Sequence, residues 1–350
     1  MNDSCSSSVL LIGNFLSARG GSRGVGEDLA LRLRARGWQV IAASARPQRI
    51  VRVLDMCLTA WRARKQYSVA QIDVFSGSAF LWAEAVSWIL RLLGKPYILT
   101  LHGGNLPGFA QRWPGRVRRL LASAATVTTP SRYLLEQMAA YRADILLLPN
   151  ALDLSSHAPR PPDQPVLPHL VWLRAFHRIY NPVLAARVMA SLRHEWPDAR
   201  LTMIGPDKGD GALADFQRFI ADNGLEAHVT CVGGVPKAEV PVRLQREDIL
   251  LNTTSVDNTP VSVLEAMGCG LCVVSTDVGG IPYLLEHEND ALLVPPNDPD
   301  AMADAVRRIL TEPELAARLS HNARRKAGQF DWGTILPQWE RLLTEVSQRK

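Results

Sequence analysis

Two acidic side chains, Asp257 and Glu265, stand eight positions apart where a predicted strand is followed by a predicted helix. The strand covers residues 249–252 and the helix covers residues 260–268. Because eight residues span more than two helical turns, the two carboxylates suit separate parts of one elongated ligand better than a shared metal ion. The amino end of the helix adds free N–H groups and a positive dipole, which attract an anion or sugar hydroxyls.

The residues at the start of this helix support the same interpretation. Asn258 or Thr259 can cap the helix, and Pro260 fits its first position because proline lacks the N–H that would stay unpaired there. We therefore predict that residues 257–260 form a ligand-binding loop.

The elements that position this loop belong to a repeating pattern in which short apolar runs alternate with helical stretches. This alternation is typical of parallel sheets wrapped by helices. The strands predicted in the first half are residues 9–12, 40–43, 72–75, 97–101, 126–129 and 145–148, with helices at 25–36, 50–65 and 79–93. The strands predicted in the second half are residues 169–173, 201–204, 229–232, 249–252, 272–275 and 291–294, with helices at 182–195, 212–223, 260–268 and 300–311.

A proline-rich stretch separates the two series of strands. Residues 158–168, APRPPDQPVLP, contain five prolines in eleven positions and predict an inter-domain linker. The expected fold class is α/β, with two doubly wound, Rossmann-like domains at residues 1–160 and 169–330, and a helix at 332–348 that packs back on the first domain. Open parallel sheets bind ligands at the carboxyl ends of their strands, so the two domains are expected to face a cleft.

The stretch at residues 251–282, LNTTSVDNTPVSVLEAMGCGLCVVSTDVGGIP, resembles the signature of the retaining glycosyltransferases of family 4, which have the GT-B fold. That signature is an acidic residue, seven other residues, a glutamate, Ala-Met and a turn of small residues. The resemblance implies that Glu265 holds the ribose hydroxyls of a nucleotide-sugar donor. It also implies that Asp257, Asn258, Thr259 and the adjoining Pro260 contact the donor sugar, although the family usually has glutamate where this chain has Asp257.

Further landmarks of the resemblance extend over nearly the whole chain. Gly20 and Gly21 resemble the family's glycine loop, in which a bare backbone approaches phosphate or acceptor. His102, followed by Gly103, resembles the histidine beside the transferred sugar. Arg174 falls where the family keeps an arginine for the diphosphate, and a guanidinium suits paired phosphate oxygens.

The chain departs from the family beside this arginine. The family usually places a lysine five residues after the arginine, and here that position is Ile179. Arg178 or His177 can supply the missing charge. Two later strand ends, which include Gly205 and Val235, fit the segments that flank the nucleotide base through backbone groups.

The function implied by the resemblance is retaining transfer of a hexose from a nucleotide diphosphate sugar to a saccharide or lipid-linked acceptor, in bacterial polysaccharide or glycolipid synthesis. Catalytic roles fall to His102, Arg174 and Asp257, and no metal ion, other cofactor or nucleic acid is expected. Two alternatives stay open: another reaction on the same fold, such as sugar-nucleotide epimerisation, and non-catalytic binding of a nucleotide sugar.

Other sequence signals favour simpler interpretations. Cys269 and Cys272 have the spacing of a redox pair, but the turn between a helix and a buried strand predicts two packed thiols. Asp298 and Asp300 have the spacing of a metal-binding pair, but helix capping explains them better. A nicotinamide site is disfavoured because residues 20–26, GGSRGVG, lack the Gly-x-Gly-x-x-Gly pattern.

Composition and charge bear on location. The chain has 350 residues, 47% of them hydrophobic, and its five cysteines are too few and too scattered for a disulfide framework. No apolar stretch reaches the roughly 20 residues of a membrane span, and the start lacks the basic region of a signal peptide. We therefore expect a cytoplasmic protein.

The basic residues concentrate in the first half of the chain. Residues 1–165 hold 20 Lys and Arg against 10 Asp and Glu, a balance of +10, and the remainder holds 19 against 24, a balance of −5. Two interpretations stay open for the apolar stripe of the helix at 50–65: contact with the sheet, or peripheral docking of the basic domain on the inner membrane. The stripe consists of Ile50, Val53, Leu54, Cys57, Leu58 and Trp61.

Overall fold

The computed structural model describes residues 7–16, 24–161 and 164–349. Within this part of the chain the residues form two compact units. The first unit combines residues up to Ala151 with residues from Gly333 onward, and the second covers Leu152–Trp332. The domain boundaries and the linker at 158–168 predicted from the sequence stay predictions. The described residues of that stretch are counted in the second unit, where the Arg160 N–H donates to the Cys269 carbonyl at 3.0 Å.

The first unit is built on a parallel sheet whose six described strands lie in the order β2-β1-β3-β4-β5-β6. Its strands are β1 Ser8–Ile12, β2 Gln39–Ala43, β3 Val69–Val74, β4 Tyr97–Leu101, β5 Thr126–Thr129 and β6 Leu146–Leu147. Its helices are α1 Val25–Ala35, α2 Arg49–Arg62, α3 Phe80–Leu92, α4 Leu106–Arg112, α5 Pro114–Ala122 and α6 Arg132–Met138, together with α14 Trp332–Gln348 near the end of the chain. β1 is buried along its whole length, as expected of a strand covered on both faces.

The second unit repeats this architecture. Its six described strands are also parallel and lie in the order β12-β11-β10-β7-β8-β9. The strands are β7 His169–Leu173, β8 Arg200–Ile204, β9 Val229–Gly233, β10 Ile249–Asn252, β11 Cys272–Thr276 and β12 Leu292–Val294. The helices are α7 Pro182–Leu192, α8 Ala212–Asp222, α9 Val240–Leu244, α10 Val261–Gly268, α11 Ile281–Leu284, α12 Pro299–Thr311 and α13 Pro313–Ala327.

The predicted α/β class with two doubly wound sheets is confirmed, and most predicted strands match the observed ones within one residue at each end. The largest difference among the strands is β3, which begins at Val69, three residues before the predicted start. The sequence prediction began this strand late because Gln71 interrupts its apolar run, yet the side chain of Gln71 is buried and donates to Thr100 Oγ1 at 2.9 Å.

The first unit is completed by α14, which is far from the rest of that unit in sequence. Ile335, Leu343 and Val346 are almost fully buried on this helix. Trp38 Nε1 donates to Glu340 Oε1 at 3.3 Å, which adds a polar contact to the apolar packing. The first unit is therefore built from two separate stretches of chain.

Candidate functional site

The polar groups of the second unit meet at the carboxyl ends of neighbouring parallel strands. Arg174 follows β7, and its N–H donates to the carbonyl of Ile204, the last residue of β8, at 3.0 Å. Gly205 comes next and has a φ of +153°. A Cβ at this position would collide with the Arg174 carbonyl oxygen, so only glycine allows the two strand ends to come this close.

The Arg174 side chain is largely buried and has one unused donor. Its guanidinium forms an ion pair with the Asp257 carboxylate and lies 4.7 Å from the centre of the Tyr180 ring. Its Nε is buried and has no hydrogen-bond partner among the described residues. A buried donor normally finds a partner, so this unpaired donor is a candidate to bind an acceptor atom of a ligand.

Arg174 is charged at neutral pH, because its pKa stays well above 7 although the side chain is buried. Burial lowers the pKa of Arg174 to about 10, and the neighbouring Tyr180 and Glu265 act in the opposite direction. Glu265 is itself buried in α10. The two carboxylates that the sequence places eight residues apart therefore both act on Arg174, Asp257 by direct contact and Glu265 through its charge.

The loop that carries Asp257 is held against the turn after β11. Asp257 Oδ1 accepts a hydrogen bond from the Asn258 N–H at 2.8 Å, and the Asp257 carbonyl accepts one from the Gly280 N–H at 2.9 Å. A Cβ on Gly279 would collide with the Asp257 carbonyl oxygen, and one on Gly280 would collide with the Asn258 carbonyl oxygen. These two glycines therefore set the position of the predicted donor-sugar loop, although sequence reasoning assigned them no role.

The start of α10 differs from the prediction. The helix begins at Val261 and its N-cap is Pro260, so neither Asn258 nor Thr259 is the N-cap residue and Pro260 does not occupy the first helical position. Pro260 has a helical φ of −70°, but its ψ of 116° is extended and keeps the residue outside the helix. Asn258 is nevertheless buried, in the loop just before the helix.

A second loop, after β7, places Tyr180 beside Arg174. The Ser255 N–H donates to the Ile179 carbonyl at 2.7 Å, and Thr253 Oγ1 donates to the Tyr180 carbonyl at 2.6 Å. Trp172 Nε1 in turn donates to Thr253 Oγ1 at 2.8 Å. The strand β7, the loop after it and the loop after β10 therefore form one hydrogen-bonded framework around the arginine.

Arg178 has acidic neighbours of its own. Its Nε donates to the Asp210 carbonyl at 3.1 Å, and its Nη2 lies 3.4 Å from Asp215 Oδ2. Its side chain is 69% exposed, against 16% for Arg174. Nδ1 of His177 accepts the Ile179 N–H at 3.1 Å. That Arg178 or His177 substitutes for the family's lysine stays a prediction. That Val235 flanks the nucleotide base also stays a prediction; this residue follows β9 and packs against the core.

The first unit holds a separate polar pair at the ends of β3 and β4. His102 Nε2 lies 3.0 Å from Asp73 Oδ1, and the imidazole stacks on the Phe75 ring with a centroid distance of 5.2 Å. Gln71 Nε2 also donates to Asp73 Oδ1, at 2.8 Å. The carboxylate therefore orients the ring of His102, and Asp73 is a candidate functional residue that sequence reasoning missed.

Of the three glycines predicted to bind substrate in this unit, the structure describes Gly103. Gly103 has a φ of +87°, which glycine adopts readily, and a Cβ there would lie 4.0 Å from Phe75. Gly20 and Gly21 lie outside the described residues. Gly26, which is described, adjoins the pair, since a Cβ on it would lie 3.5 Å from Asp73 Oδ2.

The simpler interpretations of the cysteine and aspartate pairs hold. Burial raises the pKa of Cys269 and that of Cys272 to about 12, as expected of packed thiols. Asp298 Oδ1 accepts the Ala301 N–H at 2.9 Å and caps α12. Among the described residues, no group of three or more His, Cys, Asp or Glu side chains comes together to hold a metal ion.

Two family models match the chain. Residues 168–326 match the model described as glycosyl transferases group 1, and residues 19–156 match the model described as glycosyltransferase family 4. Together the two matches cover most of the chain, and they divide between the two series of strands.

Curated relatives are similar over most of the chain. It is 25% identical over 265 residues to a D-inositol 3-phosphate glycosyltransferase of Pseudarthrobacter chlorophenolicus, covering 72% of this chain and 63% of the relative. It is 27% identical over 271 residues to a GDP-mannose-dependent mannosyltransferase of Mycolicibacterium smegmatis that acts on phosphatidylinositol monomannoside, covering 70% and 69%. The alignments with the D-inositol 3-phosphate glycosyltransferases of Pseudarthrobacter chlorophenolicus and Jonesia denitrificans span slightly less than two thirds of those proteins.

Solved structures share the fold. A sucrose-phosphate synthase from Thermosynechococcus elongatus superposes with a TM-score of 0.76 at 21% identity, covering 97% of this chain and 99% of that one. Anabaena HepE in complex with UDP-glucose superposes with a TM-score of 0.74 at 17% identity, covering 97% and 99%.

Proposed function

The chain belongs to the glycosyltransferases of family 4, and from that membership we propose that it transfers a hexose from a nucleotide diphosphate sugar to a saccharide or lipid-linked acceptor. The observation that carries the proposal is Arg174, a buried cation at the carboxyl ends of parallel strands with an unpaired Nε donor. Open α/β sheets bind nucleotides at such strand ends, and arginine binds paired phosphate oxygens. The donor diphosphate is the ligand that this arrangement fits.

Arg174 has a dual role in this proposal. Without donor, its charge is balanced by Asp257 and by the nearby Glu265. When the diphosphate binds, Nε and the guanidinium edge turn to the phosphate oxygens, and Asp257 is released to meet a hydroxyl of the donor sugar. A buried carboxylate that loses its cationic partner needs a new donor, and sugar hydroxyls supply one.

The reaction proceeds with retention of the anomeric configuration. The bond between the anomeric carbon and the diphosphate oxygen breaks, and the acceptor oxygen bonds to the same face of that carbon. The acceptor proton passes to the leaving phosphate oxygen, so no side-chain base is required. Arg174 stabilises the negative charge that grows on the leaving diphosphate, and the protein otherwise contributes positioning.

His102 and Asp73 in the first unit serve the acceptor side in this proposal. The Asp73 carboxylate fixes the orientation of the imidazole, which then presents its other nitrogen to a hydroxyl of the acceptor. We place the reaction in the cytoplasm, because Cys57, Cys231, Cys269 and Cys272 are free thiols, which persist in a reducing compartment.

One experiment separates transfer from the two alternatives. The purified protein is incubated with UDP- and GDP-linked hexoses, with and without a panel of saccharide and lipid-linked acceptors. We expect nucleoside diphosphate to be released only when an acceptor is present, together with a glycosylated product of retained configuration by NMR. Conversion of the donor sugar without release would indicate epimerisation, and binding without any turnover would indicate a non-catalytic binder.

Glu265→Gln is expected to weaken binding of the free nucleoside diphosphate by about 1–3 kcal/mol, because it removes a charged acceptor from the ribose hydroxyls. Isothermal titration calorimetry measures this directly. Glu247→Gln is the matched control, since both glutamates are 7% exposed and Glu247 lies before the amino end of β10, whereas the candidate site lies at the carboxyl ends of the strands. Equal losses in the two variants would indicate a general effect of removing a buried charge and would contradict the ribose assignment.

Turnover is expected to persist in excess EDTA, because the proposed step stabilises the leaving diphosphate with Arg174 and not with a divalent ion. The rate is measured before and after dialysis against chelator and again after Mg²⁺ or Mn²⁺ is added back. Loss of activity that either ion restores would show that the proposed metal-free step is wrong.

A further inference from the structure

The first unit exposes a large apolar surface on α2 and α3. Seven large apolar or aromatic side chains on these helices are between 48% and 77% exposed. They are Ile50, Leu54, Leu58 and Trp61 on α2, and Leu81, Trp88 and Leu92 on α3. We call this set the α2–α3 surface.

The exposed stripe of α2 is separate from the side that packs on the sheet. Met56 and Ala60 are fully buried, and Val53 and Cys57 pack against the core. Ile50, Leu54, Leu58 and Trp61 follow one another at helical spacing along another side of the helix. The interpretation that the apolar stripe faces the sheet therefore holds for Val53 and Cys57 and is wrong for the other four residues.

The two helices that carry these residues lie side by side. α2 connects β2 to β3, and α3 connects β3 to β4, so both crossovers run in the same direction along the sheet. Because such crossovers are right-handed, the two helices lie on the same face of the sheet, and they are in contact. All seven residues of the α2–α3 surface therefore belong to two contacting helices on one face of the sheet. Single exposed apolar residues are ordinary in proteins, but seven large ones on two contacting helices indicate an interaction site.

The charges around the α2–α3 surface are positive. Arg49, Arg62, Lys65 and Arg91 are exposed at the ends of the two helices or directly after them. The acidic residues on these helices have partners: Asp55 Oδ2 accepts from Ser44 Oγ at 2.6 Å, and Glu84 Oε1 accepts from Arg116 Nε at 3.0 Å. The partner of this surface therefore combines an apolar interior with a negatively charged exterior.

We propose that the α2–α3 surface docks the first unit on a lipid bilayer that contains anionic phospholipid. Ile50, Leu54, Leu58 and Leu92 enter the acyl region, and Trp61 and Trp88 lie at the level of the headgroups, where the amphipathic indole ring is favoured. The exposed cations pair with anionic headgroups. A second copy of the chain fits less well, because a two-fold dimer places the same surface against itself and brings like charges together.

This binding involves neither donor nor acceptor, so its test is independent of the proposed transfer. The full chain is sedimented with vesicles of phosphatidylcholine alone and with vesicles of equal parts phosphatidylcholine and phosphatidylglycerol. We expect binding to the anionic vesicles that falls as salt rises, because salt screens the charge attraction.

Neutralising Arg62, Lys65 and Arg91 to Gln removes three cations and is expected to weaken the partition coefficient by about a hundredfold at low salt. Leu54→Gln with Leu58→Gln is expected to weaken it by about tenfold or more, because two buried apolar side chains are lost from the membrane.

Matched controls come from α1, whose crossover runs from β1 to β2 in the opposite direction and places the helix on the other face of the sheet. Arg34→Gln with Arg36→Gln removes exposed cations there, and Leu31→Gln removes an exposed leucine; both are expected to leave vesicle binding unchanged. Far-UV circular dichroism and the melting temperature of each variant, measured without any nucleotide, report whether it remains folded. Equal recovery in the supernatant with neutral and anionic vesicles would overturn the proposal. A wild-type dimer that Leu54→Gln makes monomeric, without vesicle binding, would identify a second copy as the partner and would likewise overturn it.

Discussion

Arg174→Ala is expected to lower kcat by about two to three orders of magnitude, while the donor KM rises much less. The reason is that negative charge on the leaving diphosphate grows in the transition state, and loss of one well-placed donor typically costs this much. An interaction made mainly in the transition state lowers kcat and kcat/KM together when it is removed. Steady-state kinetics with the donor as the varied substrate measures both constants.

Two further variants show whether this effect belongs to Arg174 itself. Arg174→Lys keeps the charge but loses the planar fork and the Nε donor, so it is expected to recover only part of the lost rate. Arg178→Ala removes an exposed arginine that already has Asp210 and Asp215 as neighbours, and we expect a mild effect. A severe loss in Arg178→Ala with a mild loss in Arg174→Ala would assign the diphosphate to Arg178 instead.

Gly280→Ala is expected to lower kcat by about a hundredfold, because displacement of a positioning loop by about 1 Å costs this much. A Cβ on this residue would collide with the Asn258 carbonyl oxygen, so the loop that carries Asp257 and Asn258 has to move. The φ of Gly280 is −86°, which alanine adopts without strain, so the steric collision is the cause.

Gly328→Ala provides a matched control for this variant. Gly328 lies in the same unit with a φ of −56°, and a Cβ there would meet no atom within 4 Å. We expect its kcat to equal that of the wild type and its melting temperature to be slightly higher, because alanine at an unstrained position lowers the entropy of the unfolded chain. Gly280→Ala is expected to retain nucleoside diphosphate binding through Arg174 and Glu265, as measured by calorimetry. An unchanged kcat in Gly280→Ala would show that the position of the 257–258 loop does not limit the reaction.

The sequence predicts the elements of this fold well because strands and helices are local patterns. β4, β5, β7 and β10 match their predicted bounds without any difference, and each is a short apolar or β-branched run of the kind found in parallel sheets. Arg174, Asp257 and Glu265 could be proposed because a contiguous motif and a position directly after a strand identify them.

Residues that act through partners distant in sequence could not be found in this way. Asp73 and His102 are 29 positions apart, and only the adjacency of β3 and β4 brings them together. The only signal in the sequence that could have identified Asp73 is that it is an acidic residue inside a predicted buried strand, residues 72–75. Gly279 and Gly280 look like ordinary turn glycines until the loop after β10 is seen packed against them.

The orientation of α2 could not be predicted for a different reason. The helix has apolar residues on more than one side, and hydrophobic periodicity shows how such residues are spaced without showing which side is covered. Val53 and Leu54 both fit an apolar stripe, yet one packs against the core and the other is 57% exposed. That distinction arises from the packing of α2 on the sheet and against α3, which is tertiary information.

The division of the first unit into two stretches of chain has a consequence for synthesis on the ribosome. The second unit is one continuous stretch, Leu152–Trp332, and is synthesised before residues 333–348 of α14. Until those residues are made, the sites that receive Ile335, Leu343 and Val346 in the first unit stay uncovered. Domains usually fold in the order in which they are made, but here we expect the later-made unit to reach its final structure first. Nascent chains that stop before α14 would therefore be the ones most in need of a chaperone.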